Sequence, residues 1–459
     1  MRHTHRSCRA HTIAGPDRYR DAAQTGNRLR QTQAIDRKEL HKSSSRHQAV
    51  IRTAGVMVAP SISGATMTRP SLLLPALFAI SALHAAPPVA TPRAATPTAT
   101  TPAPAASTAA TPPALDDGWP VASAAAHGWN STVLAQMEQA LAADLAPSTT
   151  SVLIVRDGVL VYENYLGGAD RQILHDTRSL TKSVTGLLVG AAIERKLIPN
   201  AQAKVYDYFG DRQWQHPDPR KRDISIEDLL TMSSQLECND DNEFSAGNEE
   251  RMYVSADWTQ FALDLPIRGY APWMQRPAQS PHGRAFSYCT AGSFLLGALL
   301  ERATGQRLQA FAAQVLETPL GITQAQWNVS SEGVGMGGGG TRYRSRDLAK
   351  LGQLLLAQGR WQGRQVVPAD WVRAMTSVHA QAREDADYGY QLWHFLFPVR
   401  GVQRDTWAMS GNGGNYVFVV PEERLVVVLT RRAYNTRQMH QQSHRLLTDY
   451  VLKALPESN

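Results

Sequence analysis

Two runs of β-branched and apolar residues near opposite ends of this chain constrain its fold more than any other feature. Ser151-Val-Leu-Ile-Val-Arg-Asp-Gly-Val-Leu-Val-Tyr-Glu-Asn-Tyr165 is a pair of strand-like runs about Asp157-Gly158, a dipeptide that favours the tight hairpin turn. Tyr416-Val-Phe-Val-Val420 and Leu425-Val-Val-Val-Leu-Thr430 flank Pro421-Glu-Glu-Arg424 as a second hairpin. Between them the apolar spacing is helical over 179–196, 226–233, 291–303, 307–316 and 346–358, with stops at Pro199, Gly305, Pro319 and Gly359. A last amphipathic helix is expected over 437–454. Strands at both ends with helices between them point to an α+β fold: one antiparallel sheet formed from both chain ends and flanked by helices, plus an inserted, mainly helical region.

Hydrophobic residues make up 43% of the chain and charged residues 19%, which excludes wholesale disorder and a multi-span membrane protein. The net charge of +7 raises the question of a nucleic-acid partner until the charge is located. Of the 47 basic and 40 acidic residues, positions 1–66 hold 12 and 4, leaving 35 and 36 in the remainder. The folded part is therefore near neutral and lacks the basic face that phosphate backbones need, so no nucleic-acid partner is expected.

The first 66 residues read as a disordered or spurious leader, since 1–56 are rich in Arg, His, Gln and Ser without apolar periodicity. From Met67, Arg69 and the apolar run Leu72–Leu83 ending at Ala85-Ala86 have the layout of a secretory signal peptide over 67–85, too short to span a bilayer. No Cys lies near its end, which argues against a lipid anchor, and export to the periplasm or medium is expected. Residues 86–113 are almost wholly Ala, Pro and Thr, an extended linker, and the folded domain is expected over 115–459. With Cys8 in the leader, Cys238 and Cys289 are two thiols in an exported chain and are candidates for a disulfide; two buried free thiols are the alternative.

Three motifs carry candidate chemistry. Ser179-Leu-Thr-Lys182 opens a long apolar helix, and i,i+3 spacing puts hydroxyl and amine one turn apart on one face. The helix start offers free N–H groups to a developing anion, while burial and the dipole disfavour a protonated lysine, leaving an amine able to act as base. Tyr288 lies on a loop before the helix expected over 291–303 and relays protons if neighbouring cations lower its pKa. Ser410-Gly-Asn-Gly-Gly-Asn415 runs into a strand, where glycines let backbone approach a ligand. Each motif alone is weak, because Ser-x-x-Lys, a loop tyrosine and a glycine-rich turn all recur by chance.

Together they resemble the penicillin-recognising serine hydrolases, closest to the class C β-lactamase-like branch of esterases and nylon-oligomer (aminohexanoate-dimer) hydrolases. Leu229-Leu-Thr-Met-Ser-Ser234, Arg346-Asp-Leu-Ala-Lys-Leu-Gly352 with Gly359–Gly363, and Val419-Val-Pro-Glu are similar to further segments of that family, over roughly 120–455. The resemblance implies a β-lactamase/transpeptidase-like fold, Ser179 as nucleophile, Lys182 as base and Tyr288 as proton shuttle. It implies an oxyanion hole from the backbone N–H groups of Ser179 and Asn415, with Asn412, Gly413, Gly414 and Thr290 facing the substrate, and no metal or cofactor. Thr290 stands where the family has Asn, and Asn412 where it has Lys or His; the missing cation weighs against β-lactams and peptidoglycan stems.

The expected function is hydrolysis of a small amide or ester substrate through an acyl-enzyme. Two rivals stay open: a true β-lactamase or D-Ala-D-Ala carboxypeptidase, and a catalytically silent penicillin-binding-like sensor. The oligomeric state is not legible in the sequence. No Gly-x-Ser-x-Gly elbow is present, against an α/β-hydrolase. Gly333–Gly340 reads as a structural loop, His440 and His444 as a solvated helix face, and Arg342/Arg344/Arg346 and Arg431/Arg432 as salt-bridging surface, with a substrate-carboxylate role open for one of them.

Overall fold

The structure, a computed structural model, describes residues 110–456. The expected leader, the signal peptide and the linker up to residue 109 lie outside the described residues. Helix α1 (Ser131–Ala142) is followed by the hairpin β1 (Thr149–Arg156) and β2 (Val159–Tyr165), then by α2 (Thr181–Glu194), α3 (Thr290–Thr304) and α4 (Ser345–Leu356). Strands β3 (Ala380–Arg383), β4 (Ala386–Tyr388), β5 (Trp393–Val399), β6 (Val402–Gly411), β7 (Asn415–Val420) and β8 (Leu425–Arg431) precede a last helix, α5 (Met439–Arg445). Short helical turns and two-residue strands connect them.

All eight strands join one antiparallel sheet in the order β2-β1-β8-β7-β6-β5-β4-β3. The two hairpins read from the sequence join through β1 and β8, where Ile154 pairs with Val427. Asp157 and Gly158 both have positive φ, 54° and 75°, the conformation that the tight hairpin turn requires.

The strands are continuously apolar because both sheet faces are covered. Val417, Val419, Val426 and Val428 pack with α2, α3 and α4 side chains such as Leu187, Phe294 and Leu351. Their neighbours Tyr416, Phe418, Val427 and Leu429 point the other way, into a core with Leu134, Met137, Leu446 and Val451 from the terminal helices. Gly352 lets α4 lie close on the sheet; a Cβ there would stand 2.5 Å from Val426 Cγ1 and 2.6 Å from Val417 Cγ1.

Several expectations need correction. Residues 379–408, for which the sequence gives no strand expectation, form three strands and most of a fourth, β3 to β6. Their outer halves are partly exposed and polar, as in Val402-Gln-Arg-Asp405, which erases the period-two signal. His440 and His444 are not a solvated face: the Tyr416 hydroxyl bridges His440 Nδ1 at 2.9 Å and His444 Nε2 at 3.0 Å. Burial, with Arg383 nearby, holds both imidazoles down at about 4. Arg346 and Arg431 are interior rather than surface residues, 4% and 1% exposed. Arg346 pairs with Asp117 at 2.9 Å and Glu163 at 2.5 Å, pinning the start of the described chain to β2 and α4.

Candidate active site

Ser179 lies in a single 3₁₀ turn, Arg178–Leu180, which leads into α2. Arg178 has φ 52°, left-handed for a side-chain-bearing residue, a strained conformation of the kind that sites over-determined by their surroundings hold. The surroundings are explicit: the Arg178 N–H donates to Asp176 Oδ1 (3.0 Å), and the Gly340 N–H donates to Arg178 O (3.2 Å). On the other side β6 presses against the turn at Gly411, where a Cβ would stand 2.0 Å from Thr177 O. The first N–H groups of such a turn have no intrahelical acceptor and face whatever lies at its start.

Lys182, in the first turn of α2, is 1% exposed. Its Nζ lies 3.0 Å from Ser179 Oγ, 2.8 Å from Thr290 Oγ1 and 2.7 Å from Gly338 O. Burial pushes the amine below the usual lysine range, against the pull of Glu249 and Asp240. The three partners suit a neutral amine: its two N–H groups donate to Gly338 O and Thr290 Oγ1, and its lone pair accepts the serine hydroxyl. Thr290 thus holds the lysine from the position where the family has Asn. The glycine block 333–340 is a structural loop that also serves the site. Gly338 comes so close to α3 that a Cβ would be 2.9 Å from Thr290 O.

The half-buried Tyr288 ring lies under Lys182, with Nζ 4.9 Å from its centroid, and stacks on Trp393. The expectation that neighbouring cations lower its pKa is overturned. Burial pushes the phenol up, and hydrogen bonding with Ser179 opposes this only in part. Tyr288 is therefore a neutral phenol, a donor rather than a phenolate base.

Cys238 and Cys289 are bonded, with Cα atoms 5.3 Å apart. This links the segment after Cys238 to the Tyr288–Thr290 loop, and Asp240 adds a clip. Its N–H donates to Tyr288 O (2.9 Å), and its carboxylate accepts the N–H groups of Thr290 (2.7 Å) and Glu249 (3.1 Å). Burial raises the Asp240 pKa to about 6, Lys182 acting against and Glu249 with that shift. Sequence reasoning missed Asp240 and Glu249; the only signal was their position shortly after Cys238.

Two adjoining clefts of about 390 and 430 Å³ share Ser179, Glu249, Glu250, Asn412 and Asn435. Ser410 and Gly411 line the second. Asn412 is fixed by Asn435: its Nδ2 donates to Asn435 Oδ1 (2.7 Å), and its Oδ1 accepts the Asn435 N–H (2.8 Å).

Gly413, Gly414 and Asn415 line neither cleft. They are buried and turned toward β8 and α5. The Asn415 side chain donates to Asn412 O (2.8 Å) and accepts the Arg431 N–H (2.9 Å), and the Ser443 hydroxyl donates to Gly414 O (2.8 Å). Of the segment 410–415, Ser410, Gly411 and Asn412 line the clefts with Ser179. The doubled glycine pattern offers two registers that the letters alone do not separate.

A family model described as Beta-lactamase matches residues 134–448. The chain is 28% identical to a 6-aminohexanoate-dimer hydrolase of Paenarthrobacter ureafaciens over 270 residues, 58% of this chain and 66% of that protein, just under two thirds of its length. Among solved structures it is similar to a penicillin-binding protein homolog from Caulobacter crescentus (TM-score 0.52, 16% identity, 71% of this chain and 97% of that one). It is also similar to a family VIII carboxylesterase (TM-score 0.51, 16% identity, 69% and 97%). At these identities the structural likeness is one of fold, whereas the family match spans most of the chain. This chain belongs to the beta-lactamase family.

Proposed function

We propose that this protein is an exported serine hydrolase that cleaves amide or ester bonds through an acyl-enzyme on Ser179. The observation that carries the reading is the buried Lys182 amine, 3.0 Å from Ser179 Oγ and fixed by Thr290 and Gly338. Ser179 Oγ bonds to the substrate carbonyl carbon as its proton passes to the lone pair of Lys182. The oxyanion is received by the backbone N–H of Ser179 and, in the register the clefts favour, by that of Asn412 rather than Asn415. As the carbon–leaving-group bond breaks, the departing nitrogen or oxygen takes a proton from the Tyr288 hydroxyl, which Lys182 replenishes. Water then attacks the ester on Ser179 with its proton returned along the same groups.

The similarity to an aminohexanoate-dimer hydrolase and a carboxylesterase supports small amide or ester substrates. The Cys238–Cys289 bond supports export, because such bonds persist in oxidising compartments. A fluorophosphonate probe is expected to label wild-type protein on the Ser179 peptide. Ser179→Ala is expected to lose labelling and at least about a thousandfold in p-nitrophenyl ester turnover, with folding unchanged. Retained turnover in Ser179→Ala rejects the assignment. Faster hydrolysis of a chromogenic cephalosporin than of the ester makes the protein a β-lactamase instead.

A further inference from the structure

Arginines that catalysis leaves unused converge on a second cavity. Arg342 lies beside His175–Asp176 in a short ladder that pairs Asp176 with Arg342 and His175 with Tyr343. Arg431 and Arg432 arrive from the end of β8, and with Tyr434 these groups enclose about 270 Å³. Nearby arginines outside this group are neutralised: Arg178 by Asp176 at 3.3 Å, Arg344 by Asp347 at 2.8 Å, and Arg346 by Asp117 and Glu163. Arg431 spends its terminal N–H groups on Met439 O, Ser443 Oγ, Pro147 O and Gln442 Oε1. Among the described residues, Arg342 and Arg432 have no carboxylate within 4.0 Å.

The inner wall is incomplete in the same direction. His175 is 5% exposed, and its Nδ1 sits 3.2 Å from Thr150 Oγ1, but its Nε2 has no partner; neither does Arg431 Nε. Buried polar atoms without partners are rare and call for an explanation. The imidazole is neutral at pH 7, because burial and Arg432 hold it down at about 4 against the pull of Asp170. The Thr150 hydroxyl donates to Thr430 O (2.9 Å), so in the neutral imidazole Nδ1–H donates to Thr150 Oγ1 and Nε2 is a buried acceptor without a partner. Asp176, the cavity's carboxylate, is already paired with Arg178 and offsets one guanidinium at most. Arg431 bonds only neutral oxygens, so with Arg342 and Arg432 the cavity carries more than one positive charge without a carboxylate to match it.

We propose that this cavity binds a small phosphate-type dianion, inorganic phosphate or a phosphate monoester, between Arg342 and Arg432. Guanidinium forks match phosphate oxygens in pairs, and an excess of more than one positive charge calls for a dianion rather than a single carboxylate. The site is separate from the catalytic clefts, none of whose lining residues it shares, and it does not depend on the hydrolase reading.

Calorimetric titration of the full chain at neutral pH and low salt tests it, with inorganic phosphate, phenyl phosphate and acetate as probes. One saturable phosphate site is expected, at least about tenfold tighter than acetate. The better of the two phosphates tells free ion from ester. Combining Arg342→Gln with Arg432→Gln is expected to weaken phosphate binding at least about tenfold, with melting temperature in phosphate-free buffer and Ser179 labelling unchanged, since both side chains are exposed. Three results overturn the proposal: no saturable binding, acetate binding as tightly as phosphate, or binding that survives the double substitution. Loss of binding in Arg178→Gln alone, with retention in the double variant, places the anion in the catalytic cleft and also overturns it.

Discussion

Replacing Cys238 and Cys289 together by Ala removes a cross-link between residues 51 apart in sequence. For a loop of that size the chain-entropy relation gives roughly 14 cal/mol/K, or about 4 kcal/mol near room temperature, by which the bond disfavours the unfolded chain. The folded loop keeps its other ties: Asp240 N–H to Tyr288 O, Thr290 N–H to Asp240, and the Ser287 hydroxyl donating to Cys238 O at 2.6 Å. At about 1 kcal/mol each, these hold the native loop but place no constraint on the unfolded chain. The double variant is therefore expected to fold and to lose most of the 4 kcal/mol. Equilibrium urea unfolding followed by tryptophan fluorescence reads this as a midpoint drop on the order of 1 M. Ester turnover, assayed far below the midpoint, is expected to fall several-fold as the loop that aims Tyr288 and Thr290 loosens. An unchanged midpoint refutes the reasoning, as do two alkylatable thiols in the denatured, unreduced wild type. A lower midpoint with full activity confines the bond to stability.

Lys182→Arg is expected to be nearly as damaging as Lys182→Ala, on the order of a hundred- to ten-thousandfold in kcat/KM, because a guanidinium cannot accept the serine proton; substantial rescue by Arg makes Lys182 an anchoring charge only. The lowered Lys182 pKa means that the unfolded state binds more protons between the folded pKa and 10.5, so this residue makes stability rise with pH across that window. Urea midpoints measured against pH are expected to lose that slope in Lys182→Met. Asp240→Asn removes an anion that favours protonated Lys182, so the acidic limb of kcat/KM, where Lys182 loses its proton, is expected to move to lower pH; an unmoved or upward limb contradicts the coupling. Gly411→Ala sets a Cβ 2.0 Å from Thr177 O and is expected to cut turnover at least about tenfold by displacing the Ser179 turn, read as a kcat loss larger than any change in melting temperature.

What the sequence discloses follows from whether a structural role is local. The runs at residues 151–156, 416–420 and 425–430 are legible because β1, β7 and β8 are interior strands, where cover on both faces demands apolar residues at almost every position. Strands β3 to β6 carry the sheet toward its partly exposed edge and lose that signature. In the site, Ser179 and Lys182 are readable because one helical turn fixes their relation, and Tyr288 because a family pattern preserves its order along the chain. Asp240 and Glu249 act across a covalent link to a loop some fifty residues away, and no period or spacing encodes that proximity.

Gly338 marks the limit of such reading. What it contributes is a carbonyl oxygen 2.7 Å from Lys182 Nζ and the absence of a Cβ where α3 passes. A backbone oxygen has no letter of its own, and a missing Cβ looks the same in a flexible loop as in a close-packed one. The two cases differ in consequence. If glycine at 338 served only flexibility, Ala would be tolerated, whereas contact at 2.9 Å with Thr290 forces apart the two groups that hold the lysine. The glycine block is therefore part of what holds the Lys182 amine in place, although its sequence says only that the chain turns there.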